Sequence, residues 1–369
     1  MVIKVSLEDM KKKAESKFIY FNHKVSKDDI NKLIDNGLYM DGFSYLDLSR
    51  YDFSSLSLLD LKDIPFSSST IWPSKDKLPN DFNPEIILNK GNIVNDDIRN
   101  LHSLNINGQG IMVAVIDSCF QAENHIEFKD SKIKRISLTN TSSDYGFYHM
   151  ENVLSKIVGK NLGIAPGCEV LCYEILMNEN KSSQYINALK DILNRVKKNE
   201  KIRIVNISAP LMNNIGDEDK KECIDIINEL LKYNCEVVDS LRFRKDFSAC
   251  HSDFLTRDNP SDYKNEDYLL SKDGNTCFSK ASFLVGGLNV LEFGNDNGYK
   301  YEVLDWGSWA IAQSSGFYAL CLQVNKNITW EEYTKICNSN ANLNDNNVKI
   351  INYKKVIEYI KNMEKKRAR

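Results

Sequence analysis

Between residues 110 and 240, hydrophobic positions follow two alternating patterns. A short continuous apolar run, typical of a parallel strand buried on both faces, occurs at 111–116, and mostly apolar segments at 169–176, 202–207 and 236–238 predict further strands. Apolar residues with a 3.6-residue period lie between them, at Tyr185–Val196 and at Cys223–Leu231. This alternation predicts an α/β fold: a doubly wound, mostly parallel sheet with helices on both faces.

The flanking regions differ from this part of the chain in amino-acid composition. Residues 1–100 are rich in Asp, Ser, Lys and Tyr, which predicts a loop-rich N-terminal extension with a small helix–strand unit near 26–48. Large apolar groups at 71–73 and 82–88 favour an extension that packs onto the rest of the protein, because burying each side chain contributes about 1.5–3 kcal/mol. The predicted organisation is an extension over 1–100, an α/β domain over 101–340 and a C-terminal helical tail over 341–369.

Composition narrows the functional classes. Apolar residues make up 42% of the 369 positions and charged residues 27%, which excludes wholesale disorder. The 48 basic and 51 acidic residues give a net charge of −3, so no generally basic surface for nucleic acid is expected. No apolar run approaches the length of a membrane span, and the charged N-terminus does not resemble a signal peptide. We therefore expect a cytoplasmic protein without membrane or nucleic-acid partners.

Nine cysteines form an odd set with no CxxC pair, and most lie in apolar runs, which favours reduced, buried thiols over a disulfide framework or a zinc site. His125 stands between Glu123 and Glu127 but has no second histidine nearby, so a solvated loop is expected there instead of a metal site. No cofactor is expected.

Three residues could carry chemistry. Asp117 ends the run 111–116, and a carboxylate at the end of a buried strand needs a partner. His149 precedes a short helical pattern, and Ser308 precedes a longer one, where a hydroxyl would lie near free backbone N–H groups. Each residue alone also fits an ordinary structural role: a turn aspartate, a surface histidine and a helix N-cap.

Together, these contexts resemble motifs of the subtilisin-like serine peptidases, the subtilases. The segments that carry the resemblance lie in the family's order, between about residues 85 and 335. They are Asn107–Ser118 (aspartate motif), His149–Gly159 (histidine motif), Gly163–Gly167 (the "GVAPGA" that follows it), Ile204–Ser208 (substrate-pairing strand) and Gly307–Ala310 (serine motif).

The resemblance implies a serine endopeptidase acting on a peptide or protein. Ser308 would be the nucleophile, His149 its base and Asp117 the residue that orients His149. The backbone N–H of Ser308 would supply one oxyanion donor, and Ser208 and Ala209 would bind substrate on an edge strand. The family's N-terminal propeptide is an alternative role for residues 1–100.

Two departures from the family pattern affect function. Glu151 replaces a neutral residue of the histidine motif, and we expect its carboxylate to line the cleft and favour a basic or non-acidic substrate residue. The family's oxyanion asparagine is absent after 236–238, where the chain continues Asp239-Ser240, so Ser240 is the candidate replacement donor. Losing such a donor costs about 3–4 kcal/mol, or 10²–10³ in turnover.

Two functions remain open. The first is an active endopeptidase with narrow substrate choice, favoured by the presence of all three triad residues. The second is a pseudopeptidase that binds peptides or regulates a partner, favoured by the missing asparagine. The oligomeric state is left open.

Overall fold

A computed structural model describes most of the chain. The described residues are 6–18, 21, 23–35, 42–62, 64–138, 149–175, 181–208, 216–251, 269–270, 280–284, 289–302, 306–343 and 349–367. They form two compact units. The larger contains residues 94–286 and 306–369, and the smaller contains residues 3–93 together with 287–305.

The secondary-structure elements are numbered along the whole chain. The helices are α1 (Leu7–Lys17), α2 (Lys27–Asp35), α3 (Leu58–Leu61), α4 (Pro84–Gly91), α5 (Asp96–Ser103), α6 (His149–Val158), α7 (Lys181–Lys197), α8 (Asp217–Lys232), α9 (Ser240–Asp246), α10 (Trp306–Val324), α11 (Trp330–Ser339) and α12 (Tyr353–Arg367). The strands are β1 (Phe66–Ser67), β2 (Met112–Asp117), β3 (Lys132–Ser137), β4 (Glu169–Glu174), β5 (Ile202–Ile207), β6 (Glu236–Asp239), β7 (Ser248–His251), β8 (Leu269–Leu270), β9 (Ser282–Leu284), β10 (Val290–Leu291), β11 (Tyr299–Tyr301), β12 (Asn342–Leu343) and β13 (Lys349–Ile350).

A five-stranded, all-parallel sheet forms the centre of the larger unit. Its strand order is β3-β4-β2-β5-β6. Ala114 and Ile116 of β2 face a core formed with α7 and α8. Because side chains alternate along a strand, Val113, Val115 and Asp117 face the opposite side, where α6 and α10 pack against each other and against the sheet. The predicted doubly wound α/β fold is therefore confirmed.

A second sheet in the larger unit has the order β12-β13-β9-β7-β8 and mixes parallel and antiparallel pairs. The sequence patterns did not predict it, because most of its strands contain only two or three residues and have no measurable period. Among the described residues of the C-terminal region expected as a helical tail, Tyr353–Arg367 forms a helix, and β12 and β13 precede it. Among the described residues, no helix is long and apolar enough to cross a bilayer.

The smaller unit combines two distant parts of the chain. Strand β1, near residue 66, pairs with β11, near residue 300, in the antiparallel sheet β1-β11-β10. Aromatic rings fill its core, with centroids 5.2 Å apart for Phe66 and Tyr301 and 5.1 Å apart for Trp72 and Phe82. The predicted helix near residue 26 is present as α2, and within the described residues 42–48 the strand expected beside it forms only an isolated bridge, between Asp47 and Ile71.

Side-chain hydrogen bonds also join the two parts of the smaller unit. The hydroxyl of Tyr301 donates to the carbonyl of Lys62 over 2.6 Å, and the carboxylate of Glu292 accepts from the backbone N–H of Ser69 over 3.1 Å. Residues 287–305 thus complete a fold that residues 3–93 do not form alone.

We expect the N-terminal segment to stay bound after the backbone is cut. A specific protease site inserted after Ile93, at the boundary between the units, would be cleaved and the products analysed by size-exclusion chromatography. Both fragments should elute together in native buffer and separate in concentrated urea. Separation in native buffer would contradict the prediction and favour the propeptide alternative.

Candidate active site

Asp117 is the last residue of β2, and its side chain is completely buried. Its Oδ1 accepts a hydrogen bond from the backbone N–H of Ser118 over 2.7 Å. Both carboxylate oxygens lie close to Nδ1 of His149, at 2.8 Å and 2.9 Å. The charge expected to be costly at the end of a buried strand therefore has a specific partner.

His149 is the first residue of α6 and connects Asp117 to Ser308. A carboxylate only accepts hydrogen bonds, so Nδ1 carries the proton that is donated to Asp117, and Nε2 is the accepting nitrogen. That Nε2 lies 2.9 Å from Oγ of Ser308. The imidazole ring also packs against the Trp309 ring, with centroids 5.3 Å apart. The structure thus brings all three candidate residues together.

Ser308 is the third residue of α10, inside the first helical turn and not at the N-cap position. The first four N–H groups of a helix have no intrahelical acceptor, so the N–H of Ser308 is not used by the helix. Its hydroxyl lies 3.1 Å from the carbonyl of Ser208 as well as close to His149, and its single proton therefore has two possible acceptors.

A buried polar cluster anchors the start of α10 to the end of β5. The hydroxyl of Ser208 lies 3.1 Å from the carbonyl of Ser308 and 3.1 Å from Oδ1 of Asn206. The amide of Asn206 donates to the hydroxyl of Ser315 over 2.9 Å. Asn206 was not expected to have a role of its own, although an amide in a strand of buried apolar residues is a detectable signal.

The expectation that Glu151 lines the substrate cleft is wrong. Its side chain is 0% exposed and faces the interior beneath α6, where Oε1 accepts a hydrogen bond from the backbone N–H of Gln121. Burial disfavours the charged form and raises the pKa of the Glu151 carboxyl to about 8. A fully buried side chain offers no charge to a substrate.

The expected edge strand at Ser208 and Ala209 stays a prediction. Strand β5 itself has a neighbour on each side, β2 and β6, and ends at Ile207. Ser208 follows it and is buried, while Ala209 lies outside the described residues.

Ser240 is the first residue of α9, directly after β6. The carboxylate of Asp239 caps this helix by accepting from the N–H of Arg242 over 2.8 Å. Ser240 is partly exposed, and its hydroxyl is the only uncharged polar side-chain group between residues 239 and 246. Its use as an oxyanion donor stays a prediction.

The loop around His125 is not solvated as expected. His125 and Glu127 are both completely buried. The Glu127 carboxylate accepts from the backbone N–H groups of Asn161 and Leu162, at 2.9 Å and 3.1 Å, and from the Asn161 amide. These bonds give Glu127 a structural role. Within the described ranges, no group of three His, Cys, Asp or Glu residues is arranged to hold a metal ion.

Comparisons with solved structures identify the fold. The prenylagaramide maturation protease PagA is 19% identical, with a TM-score of 0.50 over 71% of this chain and 98% of its own. The subtilase cytotoxin SubAB gives 15% identity and a TM-score of 0.53 over 71% and 93% of the two chains. A mutant of the PatA protease domain gives 18% and 0.50 over 69% and 96%. Neither a family model nor a curated protein matches the sequence. The chain shares the fold of subtilisin-like protease domains.

Replacing Asn206 with alanine should destabilise the larger unit. The substitution removes the donor to the Ser315 hydroxyl and the acceptor beside Ser208, and leaving such buried groups unsatisfied costs about 1–3 kcal/mol. Urea unfolding should show this loss in the free energy of unfolding, while the slope of that free energy against urea concentration stays unchanged. The matched control Ser103→Ala removes an exposed hydroxyl of α5 and should change stability by less than about 0.5 kcal/mol. Equal stability of both variants would contradict a supporting role for the cluster.

Proposed function

We propose that this protein is a serine endopeptidase that cleaves peptide bonds through an acyl-enzyme on Ser308. The observation that carries the proposal is the continuous hydrogen-bonded series from Asp117 through His149 to Ser308, with contacts of 2.8–2.9 Å. Such a series is what activates a serine hydroxyl, a poor nucleophile at neutral pH. The subtilisin-like fold supports the proposal.

The reaction would proceed in two stages. Oγ of Ser308 attacks the scissile carbonyl while Nε2 of His149 takes the hydroxyl proton, and Asp117 stabilises the resulting imidazolium. His149 then donates that proton to the leaving amine. Water, activated by His149 in the same way, hydrolyses the Ser308 ester and releases the second peptide fragment.

Charge develops on the carbonyl oxygen during both stages. The backbone N–H of Ser308 lies in the first turn of α10 and is a suitable donor, since the helix itself does not use it. The second donor in this proposal is the hydroxyl of Ser240, at the start of α9.

We infer a peptide substrate with restricted sequence, bound along the chain that follows Ser208. Because Ser240 stands in for the family's oxyanion asparagine in this proposal, more of the transition-state stabilisation has to come from contacts with substrate residues away from the scissile bond. That dependence favours narrow substrate choice. One of the solved structures above, PagA, is described as a maturation protease, which makes short peptide precursors a suitable first library.

A fluorophosphonate probe should label Ser308. The probe reacts only with an activated serine, so Ser308→Ala should abolish labelling and His149→Ala should slow it by about a thousandfold or more. The matched control Ser103→Ala should label at the wild-type rate, because its hydroxyl lies on the surface of α5. Mass spectrometry of the labelled peptide identifies the site. Labelling that survives in Ser308→Ala would contradict the proposal.

A catalytically impaired, peptide-binding pseudopeptidase is the second candidate. One specific observation favours it: the chain passes from β6 directly into α9 without any carboxamide between residues 239 and 246. Without a second oxyanion donor, the enzyme would form the acyl-enzyme slowly yet still hold a peptide. Probe labelling without measurable peptide turnover would support this candidate.

The Ser240→Ala variant tests the oxyanion assignment. If the hydroxyl of Ser240 is the second donor, turnover of a cleaved peptide should fall by about 10²–10³ with little change in KM, because the interaction forms only in the transition state. Ser240→Thr should retain most of the activity because it keeps the hydroxyl. Full activity in Ser240→Ala would remove this residue from the oxyanion hole.

A further inference from the structure

The loop that follows Asp117 is held by buried side chains. The backbone N–H of Phe120 donates to the carboxylate of Glu174 over 3.0 Å, and the N–H of Gln121 donates to the carboxyl of Glu151. The hydroxyl of Ser118 accepts from the N–H of Met150 over 3.1 Å. The position of Asp117 relative to α6 therefore depends on two acidic side chains.

These two acids have different surroundings. Glu174 lies at the end of β4 and binds Arg135, whose guanidinium nitrogens approach to 2.7 Å and 2.9 Å. Glu151 has no basic partner among the described residues, and its Oε2 makes no hydrogen bond. Glu174 is therefore neutralised by a cation, whereas Glu151 is left without one.

The ionisable groups around Glu151 mostly favour its neutral form. Asp117 at the end of β2 repels a negative charge there, while His149 on the same helix attracts one. Cys172 faces it from β4 and is itself held protonated, because burial raises the pKa of its thiol well above the usual value. After Asp117, Glu174 is the second acidic group near Glu151. It lies on β4, and Arg135 on β3 balances its charge.

We propose that Glu151 is a positioning residue that acts as a neutral carboxylic acid, holding the loop 118–121, and through it Asp117, against His149. The carboxyl oxygen Oε1 accepts from Gln121, and the proton on the acid removes the charge that burial and Asp117 both oppose. This role replaces the specificity function expected from the sequence.

Ionisation of Glu151 would disturb this arrangement. Its pKa of about 8 means that the carboxyl loses its proton just above neutral pH. The resulting anion would be fully buried, would have too few donors and would lie near Asp117, so the loop or the helix would have to move to solvate it. Alkaline pH should therefore loosen the site before the rest of the fold.

The ionisation of Glu151 makes the stability of the fold depend on pH in a definite direction. An unfolded chain ionises Glu151 near its ordinary pKa of 4.5, and the folded protein does so near 8. Between these values the folded state binds more protons, so Glu151 makes the protein progressively less stable as pH rises. A permanently neutral side chain of the same shape would remove this dependence.

The first measurement is thermal unfolding of the full chain between about pH 5 and about pH 9. Wild type should lose several degrees of Tm over this range relative to Glu151→Gln, which keeps the acceptor and cannot ionise. Glu169→Gln, a control at a half-buried carboxylate of β4 that pairs with Lys132 over 3.5 Å, should follow wild type. Parallel curves for wild type and Glu151→Gln would overturn the assignment of a neutral acid.

The second measurement rests on the proposed function and follows the rate of fluorophosphonate labelling of Ser308. At neutral pH, Glu151→Leu, which cannot accept from Gln121, should label about tenfold more slowly or worse, and Glu151→Gln should restore the rate. Above pH 8, wild type should slow while Glu151→Gln keeps its rate. Equal alkaline decline in both would overturn the positioning role.

The two measurements separate the possible failures. Absence of labelling in every variant, wild type included, would contradict the peptidase proposal while the unfolding curves still decide whether Glu151 is neutral. Labelling of wild type together with equal rates in Glu151→Leu would contradict the positioning role alone.

Discussion

The complete burial of the Asp117 carboxylate is the constraint on which the rest of the site depends. A buried carboxylate is tolerated only where several donors approach it, and here the donors are the Ser118 backbone and the His149 ring. This requirement places the first residue of α6 beside the last residue of β2. Helix α10 packs against α6, so the same contact also brings Ser308 within reach of His149.

The buried polar groups around Asp117 show how such a site is kept ordered. Glu174 is charged and paired with Arg135, Asn206 binds two serine hydroxyls, and Glu151 is neutral. Each arrangement either gives a buried polar group a partner or removes its charge, so that the free-energy cost of burying the group is reduced. Together they fix the ends of β2, β4 and β5, the three strands whose carboxyl ends surround the candidate site.

Local patterns predicted four of the five strands of the central sheet because these are largely apolar runs, and Ile202–Ile207 was predicted residue for residue. Strand β3 was not predicted, because its two isoleucines stand among basic residues. The positions of Asp117, His149 and Ser308 followed from motif order. The direction of the Glu151 side chain could not be predicted, since it depends on an N–H group thirty residues away, on Gln121. Nor could the pairing of β1 with β11, which joins parts of the chain more than 200 residues apart and involves strands too short to show a period.

The same physics accounts for where the sequence departs from the subtilase pattern. Glu151 stands where that pattern has a neutral residue, and its buried carboxyl accepts a hydrogen bond from Gln121. The oxyanion position has no such structural requirement, because its ligand is present only during a reaction. A missing donor there leaves the folded protein intact and affects only the transition state. The requirement for a stable fold therefore restricts the positions of the nucleophile and its base. It does not restrict the oxyanion donor, which affects only the rate of the reaction.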